Sequence, residues 1–160
     1  NGKFVASATH RVIRNRNWLI IAPVASTEAM HILIEKNEQL IHFENGSIEI
    51  SFTEHSAILS EVANLVQLDL AKVQFPLILR KWKLGDYFYP LGMQKKKKIS
   101  RFLIDKKLST TQKEKTWVLE SNQRIIWVVG QRIDDRFKIT TSTKQVLQLH
   151  KWSQLWTNNY

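Results

Sequence analysis

The sequence predicts a strand-dominated α+β fold in which a short basic helix packs on a C-terminal sheet. Two patterns lead to this fold class. Short apolar stretches that alternate with polar residues recur between turn-forming residues, as in half-buried strands. One segment, 98–108, instead places Ile99, Phe102 and Leu103 at the i, i+3, i+4 spacing of an amphipathic helix. With 43% hydrophobic residues, the 160-residue chain can also build a packed core.

The first half of the chain predicts a series of strands. They are expected at 18–22, which should be buried, and at 39–43 and 47–52. The motif Glu44-Asn45-Gly46 predicts a hairpin between the last two, because Asn and Gly adopt positive φ at little cost. Residues 31–34 fit either a strand or a short helix, and 60–70 mixes apolar and acidic residues without a clear period.

The second half predicts further strands on either side of the helix. They are expected at 75–82, 124–129, 137–140 and 146–150. Pro76 lies near the start of the first strand, where a missing N–H is tolerated. Turns are predicted at Gly85-Asp86 and at 90–92, which combine glycine with aspartate or proline.

Charge divides the chain into an acidic part and a basic part. The net charge is +10, but residues 17–79 contain eight acidic residues against two lysines, whereas 80–115 contain twelve basic residues against three acidic ones. A clustered basic segment is the electrostatic footprint of a polyanion-binding surface, and nucleic acid is the favoured partner. A basic face that serves only solubility is the alternative.

Nine basic residues are the candidate RNA contacts. They are Arg80, Lys81, Lys95, Lys96, Lys97, Lys98, Arg101, Lys106 and Lys107. Lysine ammonium groups neutralise phosphates and release condensed counterions, and guanidinium groups bind phosphate bidentately. Beside them, Trp82 is interpreted as a core residue and Asp86 as a turn residue that accepts backbone N–H groups. Asp134 and Asp135 are interpreted as a turn with a local ion pair to Arg136.

Composition argues against several classes of site. The five glycines are never closer than seven residues, so no glycine-rich phosphate loop is possible. The chain has no cysteine, its five histidines lack zinc-site spacing, and no nucleophile elbow is present, so no catalytic or metal site is predicted. The absence of cysteine suits a reducing cytoplasm. The longest apolar run, 19–25, is far shorter than the roughly 20 residues of a membrane span, so no membrane partner is expected.

A dense pattern of fixed spacings lies within residues 75–144. Its members are Phe75-Pro76-Leu77, Leu79-Arg80, Trp82, Gly85-Asp86, Phe88, Pro90, Gly92-Met93, Lys97-Lys98, Ser100, Phe102, Trp127-Val128-Val129-Gly130, Arg132, Asp135-Arg136-Phe137 and Thr140. This pattern resembles the C-terminal domain of bacterial tRNA(Ile)-lysidine synthases, ligases that attach lysine to an anticodon cytidine. The acidic, β-rich stretch before it is similar to that of Bacteroidetes-type members. Lys95 and Arg101 stand where the family often has glycine and aspartate, and both departures add positive charge.

The resemblance implies a tRNA-binding and tRNA-selecting role, with contact near the acceptor stem. It also implies a separate N-terminal catalytic half that uses ATP and Mg through a glycine-rich adenylation loop, and no cofactor in this chain. Because that loop is missing and the chain opens on Asn1, we expect a fragment of a longer cytoplasmic enzyme that is inactive alone. Its partners would be tRNA, the catalytic domain of the same protein and, in one alternative, a second copy in a homodimer.

The resemblance also suggests how the chain is divided. Residues 1–72 are expected to form a connector and an acidic β-rich module, 73–150 the tRNA-binding domain, and 151–160 a C-terminal tail. Two other functions stay open. One is a general RNA-binding module, such as a ribosome-associated factor, which competition with non-cognate tRNA would distinguish. The other is a structural or dimerisation module with incidental charge, which sedimentation and an RNA shift assay would test.

Overall fold

A computed structural model describes residues 4–6, 10–15, 18–23, 31–55 and 63–153 of the chain, and the side chains of the last two ranges. The chain separates into two compact units, 1–32 and 33–160. Within the described residues, no helix is long and apolar enough to cross a membrane. The two units are described in turn.

The first unit contains a three-stranded antiparallel sheet. Its strands are β1 (Phe4–Ala6), β2 (His10–Asn15) and β3 (Trp18–Pro23), in the order β1-β2-β3. Val12 in the central strand pairs with Val5 on one side and Ile21 on the other, as suits β-branched residues. The strand predicted at 18–22 is confirmed. Its burial stays a prediction, because the side chains of these residues lie outside the described part of the structure.

The remaining elements belong to three further sheets and two short helices. They are β4 (Ile32–Ile34), β5 (Leu40–Phe43), β6 (Gly46–Glu54), β7 (Leu65–Asp69), β8 (Leu77–Lys81), β9 (Tyr87–Phe88), β10 (Lys97–Lys98), α1 (Ile99–Asp105), α2 (Thr110–Glu114), β11 (Trp117–Ser121), β12 (Arg124–Val128), β13 (Arg132–Ile133) and β14 (Gln145–Ser153). One sheet has the order β13-β12-β11-β8-β4, a second β5-β6-β14-β7, and a third pairs β10 with β9. The predicted strand-dominated α+β class is confirmed.

In the four-stranded sheet, the last strand of the chain lies between two much earlier ones. β14 is antiparallel to both β6 and β7, so that Leu149 pairs with Ile50 on one side and Val66 on the other. The hairpin between β5 and β6 is confirmed, with Gly46 at φ 135° directly after its two-residue turn. The domain boundaries at 72 and 150 stay predictions, since β14 crosses the second of them and pairs with strands that precede the first.

Helix α1 packs on the five-stranded sheet through the predicted apolar stripe. Ile99, Phe102 and Leu103 are buried in one cluster with residues from β9, β11 and β12, and the rings of Phe88 and Phe102 meet edge to face at 5.0 Å. The sequence predicted a helix end at 108, but the helix ends at 105. It ends there because Lys107 adopts the left-handed conformation at φ 56°. The N–H groups of residues 107 and 108 then bond back to Ile104 and Leu103, which is the pattern of a Schellman C-cap.

One stretch differs from its prediction, and the structure decides two stretches that the sequence left open. The strand predicted at 137–140 is wrong: Asp135–Phe137 is a 3-10 helix, and irregular backbone follows. Local side-chain bonds replace the sheet ladder there, since Asp134 accepts the N–H of Arg136 and Thr143 accepts the N–H of Thr140. Residues 32–34, in the stretch that fitted either a strand or a helix, form strand β4. In the stretch 60–70, which showed no clear period, residues 65–69 form β7, and 60–62 lie outside the described residues.

Candidate nucleic-acid interface

Seven of the nine candidate RNA contacts share one short segment around α1. This lysine surface consists of Lys95, Lys96, Lys97, Lys98, Arg101, Lys106 and Lys107. Pairing of β10 with β9 places Lys97 opposite Phe88 and Lys98 opposite Tyr87. Arg101 is the one member within α1 and is exposed, and Lys106 and Lys107 directly follow the helix. All seven residues are exposed except Lys97, which is half-buried.

One carboxylate faces these seven charges. Asp105 accepts hydrogen bonds from Lys97 Nζ at 2.7 Å and lies 3.1 Å from Arg101 Nε. The bond from Lys97, and then the nearby charge of Arg101, lower the pKa of Asp105. Asp105 therefore remains ionised at neutral pH and offsets one positive charge, which leaves the lysine surface at about +6.

The other cations on this surface lie over aromatic rings or form no ion pair within the described residues. Lys96 Nζ lies 5.1 Å from the ring centroid of Tyr87, and Lys106 Nζ lies 5.7 Å from that of Phe102, both within cation–π range. Lys95, Lys98 and Lys107 form no ion pair with any residue in the described ranges. These five ammonium groups are the ones most free to meet phosphates.

Arg80 is placed in the interior, where its charge is satisfied by two carboxylates. Its side chain is 7% exposed and binds Asp86 bidentately, at 2.8 and 3.0 Å, while its Nε donates to Glu120 at 2.9 Å. Burial lowers the pKa of Arg80, but the hydrogen bonds that Arg80 donates to both carboxylates outweigh this effect and raise it. The structure thus supports a positioning role for Arg80, and its contact with phosphate stays a prediction.

Arg80 supports the segment that carries the lysine surface. Asp86, held by Arg80, accepts the N–H of Lys83 through its side chain, and its backbone carbonyl accepts the N–H of Ile99 at 2.9 Å. The ion pair therefore connects β8 to the first turn of α1. The interpretation of Asp86 as a turn residue that accepts backbone N–H groups is confirmed.

Lys81 points away from Arg80, because adjacent strand residues face opposite sides of a sheet. Its Nζ pairs with Glu44 at 3.0 Å, and Trp117 Nε1 donates to the same carboxylate at 3.2 Å. Burial raises the pKa of Glu44, but these two bonds dominate and lower it. Lys81 is thus half-buried and charge-balanced, outside the lysine surface.

A second cluster beside the lysine surface involves residues that sequence reasoning did not select as contacts. Arg136 lies with its guanidinium carbon 4.4 Å from the ring centroid of Tyr89, and the rings of Tyr89 and Tyr87 lie 6.5 Å apart. Because Lys96 lies over Tyr87, the two tyrosines connect the lysine surface to Arg136. The Tyr87-Phe88-Tyr89 alternation, with only Phe88 fully buried, is the sequence signal that could have identified them.

Asp134 holds Arg136 in that position. Asp134 is fully buried, accepts the backbone N–H groups of Tyr89 and Arg136, and binds the Arg136 guanidinium at 3.0 Å through each oxygen. The bond to Asp134 raises the pKa of Arg136. The predicted local ion pair with Arg136 is confirmed for Asp134, whereas Asp135 pairs with Lys138. Among the described residues, no three His, Cys, Asp or Glu side chains are grouped as metal ligands would be.

Comparison with known proteins gives consistent matches. The family model described as TilS substrate C-terminal domain matches residues 77–151. The tRNA(Ile)-lysidine synthase of Parabacteroides distasonis is 39% identical over 150 residues, which cover 91% of this chain and 34% of that protein. The tRNA(Ile)-lysidine synthase of Bacteroides thetaiotaomicron is 36% identical over 146 residues, which cover 91% of this chain and 32% of that protein.

A solved structure shares the fold. It is described as the crystal structure of the TILS C-terminal domain and aligns with a TM-score of 0.67 over 78% of this chain and 98% of its own, at 22% identity. The chain spans about a third of the length of the two lysidine synthases that it matches. The similarity therefore concerns one part of those enzymes.

Proposed function

Since residues 77–151 belong to the family of TilS substrate C-terminal domains, we propose that this chain is the tRNA-binding and tRNA-selecting part of a tRNA(Ile)-lysidine synthase. In this proposal the whole enzyme ligates lysine to the anticodon cytidine of tRNA(Ile). The ATP and Mg chemistry belongs to a catalytic domain of the same protein. The cytoplasmic location and the homodimer stay predictions.

The observation that carries the proposal is the charge balance of the lysine surface. Seven basic residues before, within and directly after a short, well-packed helix face one carboxylate. Duplex RNA has a deep, narrow major groove that hides base edges, so proteins bind it mainly through its shape, phosphates and ribose hydroxyls. An array of exposed ammonium groups at both ends of a packed helix suits the backbone of a stem such as the acceptor stem.

The number of available cations sets the expected salt dependence. Lys97 and Arg101 share Asp105, which leaves about five ammonium groups for phosphate contact. If roughly four or five phosphates are neutralised, the logarithm of the association constant should fall with the logarithm of salt concentration with a slope of about −4. Measuring tRNA(Ile) binding to the 160-residue chain between about 50 and 200 mM salt provides this slope.

A charge-reversal variant tests whether the lysine surface is the binding site. We choose Lys95→Glu, Lys98→Glu and Lys107→Glu together, and we leave Lys97 unchanged because a glutamate there would repel Asp105. Each lost phosphate contact reduces the slope by about one, so the triple variant should show a slope shallower by about 3 and at least tenfold weaker binding. Unchanged affinity and slope in a variant that still melts cooperatively would refute the proposed surface.

A matched control separates position from total charge. Lys36 and Lys144 line a different groove of about 770 Å³, and both are exposed and form no ion pair within the described residues. Lys72 lines the same groove but stays unchanged, because a glutamate there would repel the buried Asp69. Replacing Lys36 and Lys144 with glutamate should retain most of the affinity. If this variant loses affinity in proportion to its smaller charge change, binding follows net charge alone. Competition with a non-cognate tRNA then tests selection, because a general RNA-binding module would bind both tRNAs equally.

A further inference from the structure

A polar cleft of about 470 Å³ lies beside the lysine surface, between the turn before β9 and the turn that connects β11 to β12. Its walls include Arg80, Tyr87, Asn122, Gln123, Arg124 and Arg136. Pockets of roughly 300–1,000 Å³ accommodate small organic ligands, so this cleft has the volume for a nucleotide. Tyr87 belongs both to the cleft and to the cation–π contact with Lys96, which makes the cleft continuous with the lysine surface.

The charges in the cleft favour a neutral group over a cluster of phosphates. Two of its three arginines are already paired: Arg80 with Asp86 and Glu120, and Arg136 with Asp134. Arg124 is exposed and makes no ion pair within the described residues. A ligand that fits must therefore place an uncharged group against the paired Arg80 and Arg136 and about one phosphate against Arg124.

The remaining walls suit a nucleobase. The Tyr87 side chain is 47% exposed and offers a ring on which a base can stack. Asn122 and Gln123 are exposed at the turn, both at positive φ, and their amide groups carry the donors and acceptors that bind base edges. An aromatic ring beside cations is the usual combination for binding unpaired nucleotides, whereas a base inside a duplex is stacked and unavailable.

We propose that this cleft binds one unpaired nucleotide adjoining an RNA duplex, with its base stacked on Tyr87 and its phosphate on Arg124. This inference rests on the proposed tRNA binding and specifies it: the lysine surface holds duplex backbone, and the cleft holds the neighbouring single strand. Stacking of the base releases no counterions, so the cleft should steepen the salt slope by about one at most, through the phosphate on Arg124.

Two RNA probes separate the sites. One is a blunt RNA hairpin, and the other is the same hairpin extended by unpaired 3′ nucleotides. The 160-residue chain should bind the extended hairpin about tenfold more tightly, as one stacked base provides. Tyr87→Ala should abolish this gain, so that the variant binds both hairpins with equal affinity, and Tyr87→Phe, which keeps the ring over which Lys96 lies, should preserve it. Arg124→Ala should reduce the gain without affecting the blunt hairpin.

A spectroscopic signal reports stacking directly. With 2-aminopurine at the unpaired position, the wild-type chain and Tyr87→Phe should quench its fluorescence, and Tyr87→Ala should not. Equal affinity of the wild-type chain for both hairpins, or equal losses on both probes in Tyr87→Ala and Arg124→Ala, would overturn the cleft assignment while leaving duplex binding intact. If instead only the extended hairpin is bound, the cleft stands and the lysine surface fails as a duplex site.

Discussion

The buried ion pair of Arg80 provides the sharpest test of how this protein is built. In the change Arg80→Met, the side chain keeps most of its length but loses its charge, and Asp86 and Glu120 remain in the interior without their partner. Their side chains are 7% and 15% exposed, so water can compensate them only in part. Removing one member of a buried ion pair costs about 3–5 kcal/mol of stability, because an uncompensated charge stays behind.

A chemically identical change at an exposed site is the control. Arg101 also pairs with an aspartate, Asp105, but its side chain is 70% exposed, and exposed pairs contribute about 0–1 kcal/mol. Urea unfolding of both variants measures the two losses in the same chain. We expect Arg80→Met to lose at least about 3 kcal/mol in the free energy of unfolding and Arg101→Met less than about 1 kcal/mol.

Binding of RNA discriminates between the two roles considered for Arg80. If Arg80 only supports the turn at Asp86, the affinity of folded Arg80→Met for tRNA should stay close to that of the wild-type chain. Similar stability losses in both variants would refute the argument from burial. A stable Arg80→Met that binds tRNA weakly would restore Arg80 as a phosphate contact.

Two further predictions concern acid stability and the end of α1. The bond from Gly92 N–H, followed by the charge of Lys138, holds the pKa of Asp135 below its usual value of 3.8. A carboxyl group whose pKa is lower in the folded state than in the unfolded state stabilises the protein above the unfolded-state pKa. This contribution is lost as the pH falls through the folded-state pKa. Asp135→Asn should therefore flatten the decline in unfolding free energy below about pH 3.8, and an unchanged decline would contradict this. Lys107→Gly should raise the free energy of unfolding by about 1 kcal/mol, since only glycine adopts φ 56° without strain, whereas Lys107→Ala should not; equal effects in thermal melts would exclude the strained cap.

Elements with a strong local period were predictable. The spacing of Ile99, Phe102 and Leu103 was sufficient for α1, and the Glu44-Asn45-Gly46 motif was sufficient for the β5–β6 hairpin, because both depend on contacts within a few residues. The family resemblance was also predictable, because fixed spacings along the chain can be compared without knowing the fold, and the comparisons confirm it.

One central strand and one short helix were missed. β11 was not predicted, because Trp117, Val118 and Leu119 are consecutive buried residues and show no alternation. Central strands that are packed on both sides have this appearance, and periodicity cannot distinguish them from loops or helix segments. The short helix α2 was also missed, although Ser109 and Gln112 form a capping box at its start.

The sequence by itself determined the fold class, the amphipathic helix, the charge segregation and the family. Only the tertiary structure decided which charges are available to a ligand. Arg80 and Lys98 carry the same charge in the sequence, yet Arg80 meets Glu120, forty residues later, in the interior, and Lys98 stays exposed. The physical reason is that the pairing of a charge depends on distant residues brought together by strand order, and a local pattern of residues contains no information about those partners.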